Sequence, residues 1–566
     1  MRIAVVGTWG GGALLRSLAD DGSPSGPAEQ VPDLVAAVRE REARESPRWV
    51  WASTSEVYPG LLGAGVRVAR CHDLALVEAL LLGHDGRWGE PRSVAAAWAR
   101  LRGEPVPADP QHGPRDLQPA LFEPDRTGLP GDVDPLDAVV AVHRRQQQGL
   151  SGPLALLAAA ESAGALLAAE LGHDGLPWRA DVHDELLTGL LGPREEPGVR
   201  PARLRELAAR IAEAFGGRAV NPDAPADIVR AFAREGVQVP SARSWVLRKV
   251  EHPAAPLILA YKELSRLHAA HGWAWLDQWV SGGRFRPEYV PGGVVSGRWA
   301  TRGGGALQIP RVVRRAVVAD PGWALVVADA SQLEPRVLAA LAGDHRMAAA
   351  AAGGDLYQAL ADEAFGGDRA RAKVAMLGTI YGQTAGEAAQ LLVQLRQRFP
   401  AAVRYVEAAA TAGEEGRLVR SVLGRTCPPP SAAWRELLSG GPADVDGGGA
   451  VPDPDGAPTG DGRRAARDRG RFTRNFVVQA SAADWALALL AVLRARLAEL
   501  GSPGDRPALV FFQHDEVIVH TPEPLAAAVA DAVTSAGREA TRMVFGPTPV
   551  QFPLGTAVVA CYADAK

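Results

Sequence analysis

The chain has 566 residues, with 61 basic against 65 acidic side chains and a formal net charge of −4. At about 150 residues per domain, that length allows three or four packed units and excludes a peptide or a disordered tail. Cys71, Cys427 and Cys561 are far apart and odd in number, which argues against a disulfide framework or a thiolate zinc site and leaves oxygen ligands for any metal.

Met1 to Gly7 has too short an apolar run for a signal peptide, and no stretch of about 18 consecutive apolar residues occurs, so a cytoplasmic protein away from the membrane is expected. Ile3–Val6 and Trp49–Ala52 read as strands, and neither carries an acid. Gly7-Thr8-Trp9-Gly10-Gly11-Gly12 lacks dinucleotide spacing and the Gly-Lys-Ser/Thr of a phosphate loop, so it reads as a turn. Glu40-Arg41-Glu42 belongs to a charged helical run. Pro, Gly and acidic residues thicken between Gly103 and Pro135, marking an interdomain linker, and between Ser439 and Gly462, marking a mobile insertion. From Gly152 to Leu191 and from Pro201 to Phe232, apolar residues recur at three- and four-residue spacing, predicting amphipathic helices. His183-Asp184-Glu185 reads as a solvated helix start.

Trp323–Ala328 predicts a buried strand running into Asp329. A carboxylate there is costly unless a cation or solvent reaches it, although capping a helix that starts near Gln332 explains it equally well when taken alone. Leu509–Phe512 and Val517–Val519 flank Gln513-His514-Asp515-Glu516, a hairpin with acids at its turn, and Thr556–Cys561 adds a further strand. A hairpin can hold Asp515 beside the strand end that carries Asp329. Shared divalent metals would relieve the repulsion between the two carboxylates. Between these motifs, Asp368 suits an N-cap and Gly382 a C′ position, predicting a helix on which Arg369, Lys373, Leu377 and Tyr381 recur every four residues. Lys373 is one of four lysines, with Lys249, Lys262 and Lys566, in an arginine-rich chain. Tyr289 to Ala319 holds Arg298, Arg302, Arg311, Arg314 and Arg315 with no acid, and Arg463 to Arg474 holds six arginines against Asp468. Both stretches are electrostatic footprints for a phosphate backbone. Arg471, Asn475 and Gln479 fall four apart on one expected helix.

Together these residues resemble the bacterial family-A DNA polymerases. Asp329-Ala330-Ser331-Gln332-Leu333-Glu334-Pro335-Arg336 is similar to their motif A, the Arg369, Lys373, Tyr381-Gly382 helix to motif B, and Gln513-His514-Asp515-Glu516 to motif C, in the family's order. Ser296-Gly297-Arg298, Leu307-Gln308-Ile309-Pro310, Leu423-Gly424-Arg425 and Val478–Asp484 extend the resemblance, which reaches back to about residue 150.

The resemblance implies an α+β right-hand polymerase fold, with an antiparallel palm sheet and helical thumb and fingers. Residues 1–150 would form a degenerate α/β 3′–5′ exonuclease-like domain, 151–290 the thumb, and 291–566 the palm and fingers. It implies template-directed addition of deoxynucleotides to a primer, without proofreading, in gap filling or repair. Two Mg²⁺ ions, with Mn²⁺ as the alternative, would be held by Asp329, Asp515 and the Ala330 carbonyl, with Glu516 a further candidate. Arg369 and Lys373 would grip the nucleotide phosphates, and Lys373 would protonate pyrophosphate. Glu334 would exclude a ribose 2′-hydroxyl, and Gln332, Tyr357, Leu377 and Tyr381 complete the nucleotide site. Arg298, Gln308, Arg471, Asn475, Gln479 and His514 would contact primer-template DNA. The partners implied are primer-template DNA and deoxynucleoside triphosphates, with the protein a nucleoid-associated monomer. Three positions depart from the family: Ala330 replaces the motif A tyrosine, Leu377 the motif B aromatic, and Tyr357 a phosphate-contacting histidine. In the first domain, Asp73, Asp132 and Asp134 are acids without the Asp-x-Glu strand that two-metal exonuclease chemistry requires.

Overall fold

The computed structural model describes residues 1–110, 128–306, 309–382, 387–438, 460–502 and 504–565. The chain starts with β1 (Arg2–Gly7), β2 (Ala13–Leu18), β3 (Glu29–Val31), α1 (Leu34–Glu45), β4 (Arg48–Trp51), α2 (Thr54–Gly63), β5 (Arg70–Asp73), α3 (Leu74–His84), α4 (Val94–Arg102) and α5 (Pro135–Gly149). Its five strands form a mixed sheet in the order β3-β2-β1-β4-β5, antiparallel on the β2 side and parallel on the β4 side. Successive strand residues face opposite ways. Ile3, Val5, Trp49 and Trp51 therefore enter one apolar cluster with Tyr58 and Leu61, while Ala4 and Val50 enter another with Leu74, Val94 and Val139. Both faces are covered, so the strands read as near-continuous apolar runs. The segment expected to be an interdomain linker instead joins α4 to α5, and both helices contribute to the same apolar cluster on this sheet. Residues 111–127 of that segment lie outside the described residues.

The middle of the chain is helical, as the spacing predicts: α6 (Gly152–Asp174), α7 (Ala180–Leu191), α8 (Ala202–Ala214), α9 (Pro225–Arg234), α10 (Ser244–Leu247), α11 (Ala254–His271) and α12 (Trp273–Trp279). Short strands β6 (Leu176–Pro177), β7 (Val280–Ser281), β8 (Arg284–Phe285), β9 (Glu288–Val290) and β10 (Ala300–Arg302) form two small sheets at its edge. His183 corrects the solvated-start reading. Asp184 and Glu185 are exposed, but His183 is fully buried among Trp178 and Trp275, and its Nε2 lies 3.0 Å from the His271 carbonyl.

The later half contains β11 (Trp323–Ala330), α13 (Leu333–Ala342), α14 (His345–Ala350), α15 (Leu356–Ala364), α16 (Arg369–Tyr381), α17 (Glu387–Arg398), α18 (Pro400–Glu414), α19 (Ala432–Leu438), α20 (Gly460–Ala498), β12 (Ala508–Gln513), β13 (Glu516–Pro522), α21 (Ala526–Phe545) and β14 (Leu554–Val559). Four strands pair antiparallel in the order β12-β13-β11-β14. The 39-residue α20 packs along α6, α18 and α21. α6 and α20 are long and apolar enough to cross a membrane, but most of each apolar window is buried inside the protein, as in core helices. The expected insertion at 439–462 lies almost entirely outside the described residues.

A largely buried cluster of three charged side chains and one hydroxyl ties the first unit to the rest. Arg494 of α20 donates to Glu170 of α6 from Nε at 2.9 Å and from Nη2 at 2.7 Å, and also to the carbonyls of Val68 and Ala69. The Tyr58 hydroxyl and Arg67 complete the shell around Glu170. A buried carboxylate is tolerated only when paired and hydrogen-bonded in this way.

Candidate active site

β11 is one of the two interior strands of the four-stranded sheet and is apolar until its end, where Asp329 stands opposite Glu516 on β13 and Gly555 on β14. The β12–β13 hairpin reverses at His514-Asp515. The Asp515 N–H donates across His514 to the Gln513 carbonyl at 2.6 Å, and His514 takes a left-handed φ of 56° that a non-glycine residue rarely adopts. The Asp515 carbonyl accepts the Ala330 N–H at 2.9 Å, pinning the hairpin turn to the end of β11. The geometry thus brings Asp329, Ala330 and Asp515 together. Burial pushes the Asp515 carboxyl up to about 6, the negative charge of Asp329 adds to this, and Arg298 partly opposes it. Glu516 is buried, and its charge raises the nearby Tyr562 hydroxyl, which burial already pushes up.

Two neighbouring carboxylates and a carbonyl offer an all-oxygen donor set that suits a hard divalent cation, which would offset both the burial that chiefly raises Asp515 and the smaller effect of the Asp329 charge. Among the described residues, no group of three or more His, Cys, Asp or Glu side chains is arranged to hold a metal by itself. Water or substrate oxygens would therefore have to complete the coordination of Mg²⁺, which usually keeps several waters.

A polar chain crosses the face beside these acids. Arg298 pairs with one oxygen of Glu334 on α13, the Tyr381 hydroxyl of α16 donates to the other at 2.8 Å, and Gln479 of α20 donates to that hydroxyl at 3.4 Å. Four residues separated by up to 181 positions are joined, and helical spacing alone could not show this. Burial and then Glu334 push the Tyr381 hydroxyl up, whereas burial and then Arg298 lower His514.

A second network surrounds the start of α16. Asp368 caps the helix through Ala370 N–H at 3.0 Å and Arg371 N–H at 3.1 Å, and Gly382 closes it with a φ of 69°. Arg369 donates to Asp355 at 2.8 Å and lies 5.6 Å over the Tyr357 ring. Gln332, left-handed at φ 60°, donates to the same Asp355 and accepts the Leu356 N–H. Tyr357 is buried, and its hydroxyl is pushed up to about 12, by burial first and Glu334 next. Asp355 is the residue that motif reading missed. Its only sequence signal is its place as an N-cap two residues before Tyr357.

Lys373 is exposed on α16 and has no ion-pair partner among the described residues, while Leu377 is half-buried. Asn475 and Gln479 are half-buried along α20, and the Asn475 amide oxygen is shielded without a hydrogen bond among the described residues. Arg471 is exposed, pairs with Asp468 and packs against Gly382 at the end of α16. The basic stretch around it is less free than its letters suggest. Arg474 is buried against Glu407 at 3.7 Å, and Arg469 donates to the Pro428 carbonyl. Gln308 lies outside the described residues. In the first unit, Asp73 and Asp134 cap α3 and α5, which accounts for both carboxylates structurally.

A family model described as DNA polymerase family A matches residues 200–557. DNA polymerase I of Chloroflexus aurantiacus is 31% identical over 321 residues, covering 51% of this chain and 31% of that protein. The thermostable DNA polymerase I of Thermus aquaticus is 25% identical over 442 residues, covering 68% of this chain and 48% of that protein. The chain thus spans between about a third and a half of the length of these relatives. The polymerase domain of Pol1 from M. smegmatis, solved with DNA primer-template and dNTP, superposes with a TM-score of 0.69 at 20% identity over 100% of this chain and 95% of that one, which shows a shared fold. The mixed helix and strand architecture, the carboxylates at the end of β11 and in the β12–β13 hairpin, and a family match over more than half of its residues establish that the chain belongs to DNA polymerase family A.

Proposed function

We propose that the protein extends a primer 3′ end with deoxynucleotides selected by a DNA template. The observation that carries this reading is the junction of Asp329 with Asp515, pinned by the Ala330 N–H to the Asp515 carbonyl where β11 and the β12–β13 hairpin end together. Asp329, Asp515 and the Ala330 carbonyl would hold two Mg²⁺ ions, or Mn²⁺ in their place. Such ions neutralise charge on a phosphoryl group in transfer. Glu516, buried and opposite Asp329 on β13, would be a further candidate ligand.

The chain's own residues supply positioning. Lys373, exposed and without an ion-pair partner among the described residues, offers a compact cation to the nucleotide phosphates and a proton to departing pyrophosphate. Arg369 would join it after exchanging Asp355 for phosphate. Glu334, held from both sides by Arg298 and Tyr381, forms a fixed wall where a ribose 2′-hydroxyl would fall. Tyr357, Leu377 and Gln332 would border the nucleotide. Arg298, Arg471, Asn475, Gln479 and His514 would line the primer-template duplex. Residues 1–150 would be an exonuclease-like domain without nuclease activity, followed by a thumb to about 290 and then the palm and fingers. Gap filling or repair, as a cytoplasmic monomer on nucleoid DNA and away from membranes, fits a polymerase without proofreading.

Extension of a recessed primer with Mg²⁺ and each nucleotide tests this, with Asp515→Ala as the control. Template-matched extension by the wild type, lost by at least about 10³-fold in the variant and without primer degradation when nucleotides are omitted, is expected. Tight primer-template binding with no extension would replace the reading with a DNA-binding protein that keeps the polymerase fold.

A further inference from the structure

Arg425 is a buried arginine just outside the candidate site. Its guanidinium donates to Glu161 of α6 at 2.6 Å and to Asp484 of α20 at 3.3 Å, and all three side chains are almost inaccessible. The loop that carries it is fixed too. Ser421 N–H donates to the Arg425 carbonyl at 2.8 Å, Leu423 N–H to Asp484 at 3.3 Å, and Val422 N–H to Ser481 at 3.0 Å. A buried ion triad with this many partners is geometrically rigid, and removal of one member leaves charges uncompensated.

The guanidinium lies against the backbone of Gly297. A Cβ at that position would stand 2.2 Å from Arg425 Nε, and Gly297 itself is left-handed at φ 83°. Gly297 belongs to a turn closed by its own N–H to Val294 at 2.8 Å and by Val294 N–H to the Arg298 carbonyl at 3.1 Å. On the other side of Arg298, Trp299 is buried edge-on to Phe512 at 5.1 Å and against Gly164 of α6. Arg298 is thus anchored through both chain neighbours, and its side chain alone reaches out to Glu334.

We propose that Arg425 is a positioning residue: its triad with Glu161 and Asp484 clamps Gly297 and thereby aims Arg298 at Glu334 and the primer end. This rests on reading the protein as a polymerase. Arg425 is over nine-tenths buried and its Nε and Nη2 are committed to Asp484 and Glu161, so its effect on the reaction passes through Arg298.

The test is a double-mutant cycle on the full chain, measuring single-turnover extension of a recessed primer by wild type, Arg425→Lys, Arg298→Ala and the double variant. Lysine keeps the charge but cannot span both carboxylates with a planar fork. Arg425→Lys is expected to slow the chemical step about ten-fold and to add almost nothing in the Arg298→Ala background. Gly297→Ala, which alters no charge but presses a methyl group into the guanidinium, should reproduce the same loss and the same non-additivity. Full additivity, with the double variant slower than Arg298→Ala by the same ten-fold, overturns the proposal and leaves the triad as general scaffold. If circular dichroism shows Arg425→Lys unfolded, Glu161→Gln, which keeps the shape and leaves Asp484 in place, takes its position in the cycle with the same criteria. A wild type that fails to extend at all overturns the polymerase reading along with this one, an outcome distinct from additivity.

Discussion

Arg369 illustrates how a residue's chemistry depends on a neighbour that its own motif does not contain. Its Nε–H is donated to Asp355, so a nucleotide phosphate must compete with a carboxylate already in place. Burial works against the charge on Asp355, but hydrogen bonds from Arg369 and Gln332 outweigh it and hold that carboxyl below the usual range. The pair is largely exposed, and such pairs contribute about 0.2–1 kcal/mol. Asp355→Asn keeps an N-capping side chain for α15 and removes the competing charge. If Arg369 grips the triphosphate, KM for the nucleotide should fall up to about five-fold with kcat little changed, as steady-state extension would measure. A KM that rises would show that Asp355 orients Arg369 instead of competing with phosphate. The spacing of Arg369, Lys373 and Tyr381 was readable from the sequence because it repeats with the helix. The Asp355 contact was not, because it depends on how α15 folds back across Gly366-Gly367.

Among elements, the ones with a local cause were legible. β11 follows from an apolar run, the β12–β13 hairpin from two runs around a polar tetrad, and α16 from Asp368 before it and Gly382 after it. His183 and the 103–135 segment were not. A histidine on an amphipathic helix reads as solvated until Trp178 and Trp275 are known to cover it, and a Pro- and Gly-rich stretch does not reveal whether its two flanks pack together. The same distinction runs through the site. Asp329 and Asp515 could be paired by strand logic, whereas the Arg298–Glu334–Tyr381–Gln479 chain needs the tertiary arrangement of three helices. The cap of α16 yields an expectation at this scale. Asp368 accepts from two otherwise unpaired N–H groups, so Asp368→Ala should destabilise the helix by roughly 0.5–2 kcal/mol. Hydrogen exchange should report faster opening across 369–373 than in α20, and equal protection in both helices would mean the cap contributes nothing.

Across the whole molecule, buried imidazoles are scattered through otherwise separate parts of the core. His72 and His143 sit edge to face at 4.9 Å beneath the first sheet, and His183 and His271 share the aromatic cluster beside α12. Burial is the first cause in each case, lowering His72, His183 and His271 to about 4 and His143 to about 3. The sign follows directly. Between those values and the ordinary value of 6.5, the unfolded chain binds protons that the folded chain does not, so stability falls as the pH drops through that interval. It is fully present above about 6.5, and the histidine contribution levels off once the folded groups also protonate. Each ten-fold difference in proton affinity corresponds to about 1.4 kcal/mol. Urea midpoints should therefore decline from pH 6.5 to 5, the four imidazoles outweighing Asp515, whose raised carboxyl takes up its proton in the folded state near 6 and acts in the opposite direction. His143 offers the sharpest check, because neither of its ring nitrogens has a hydrogen-bond partner among the described residues. His143→Leu should cost little at pH 7.5 and make the decline between pH 6.5 and 5 shallower, since an imidazole that gains nothing from its burial is replaced by a group with no proton to bind. An unchanged slope in that variant would mean that His143 takes up its proton by a local opening of α5 rather than by global unfolding.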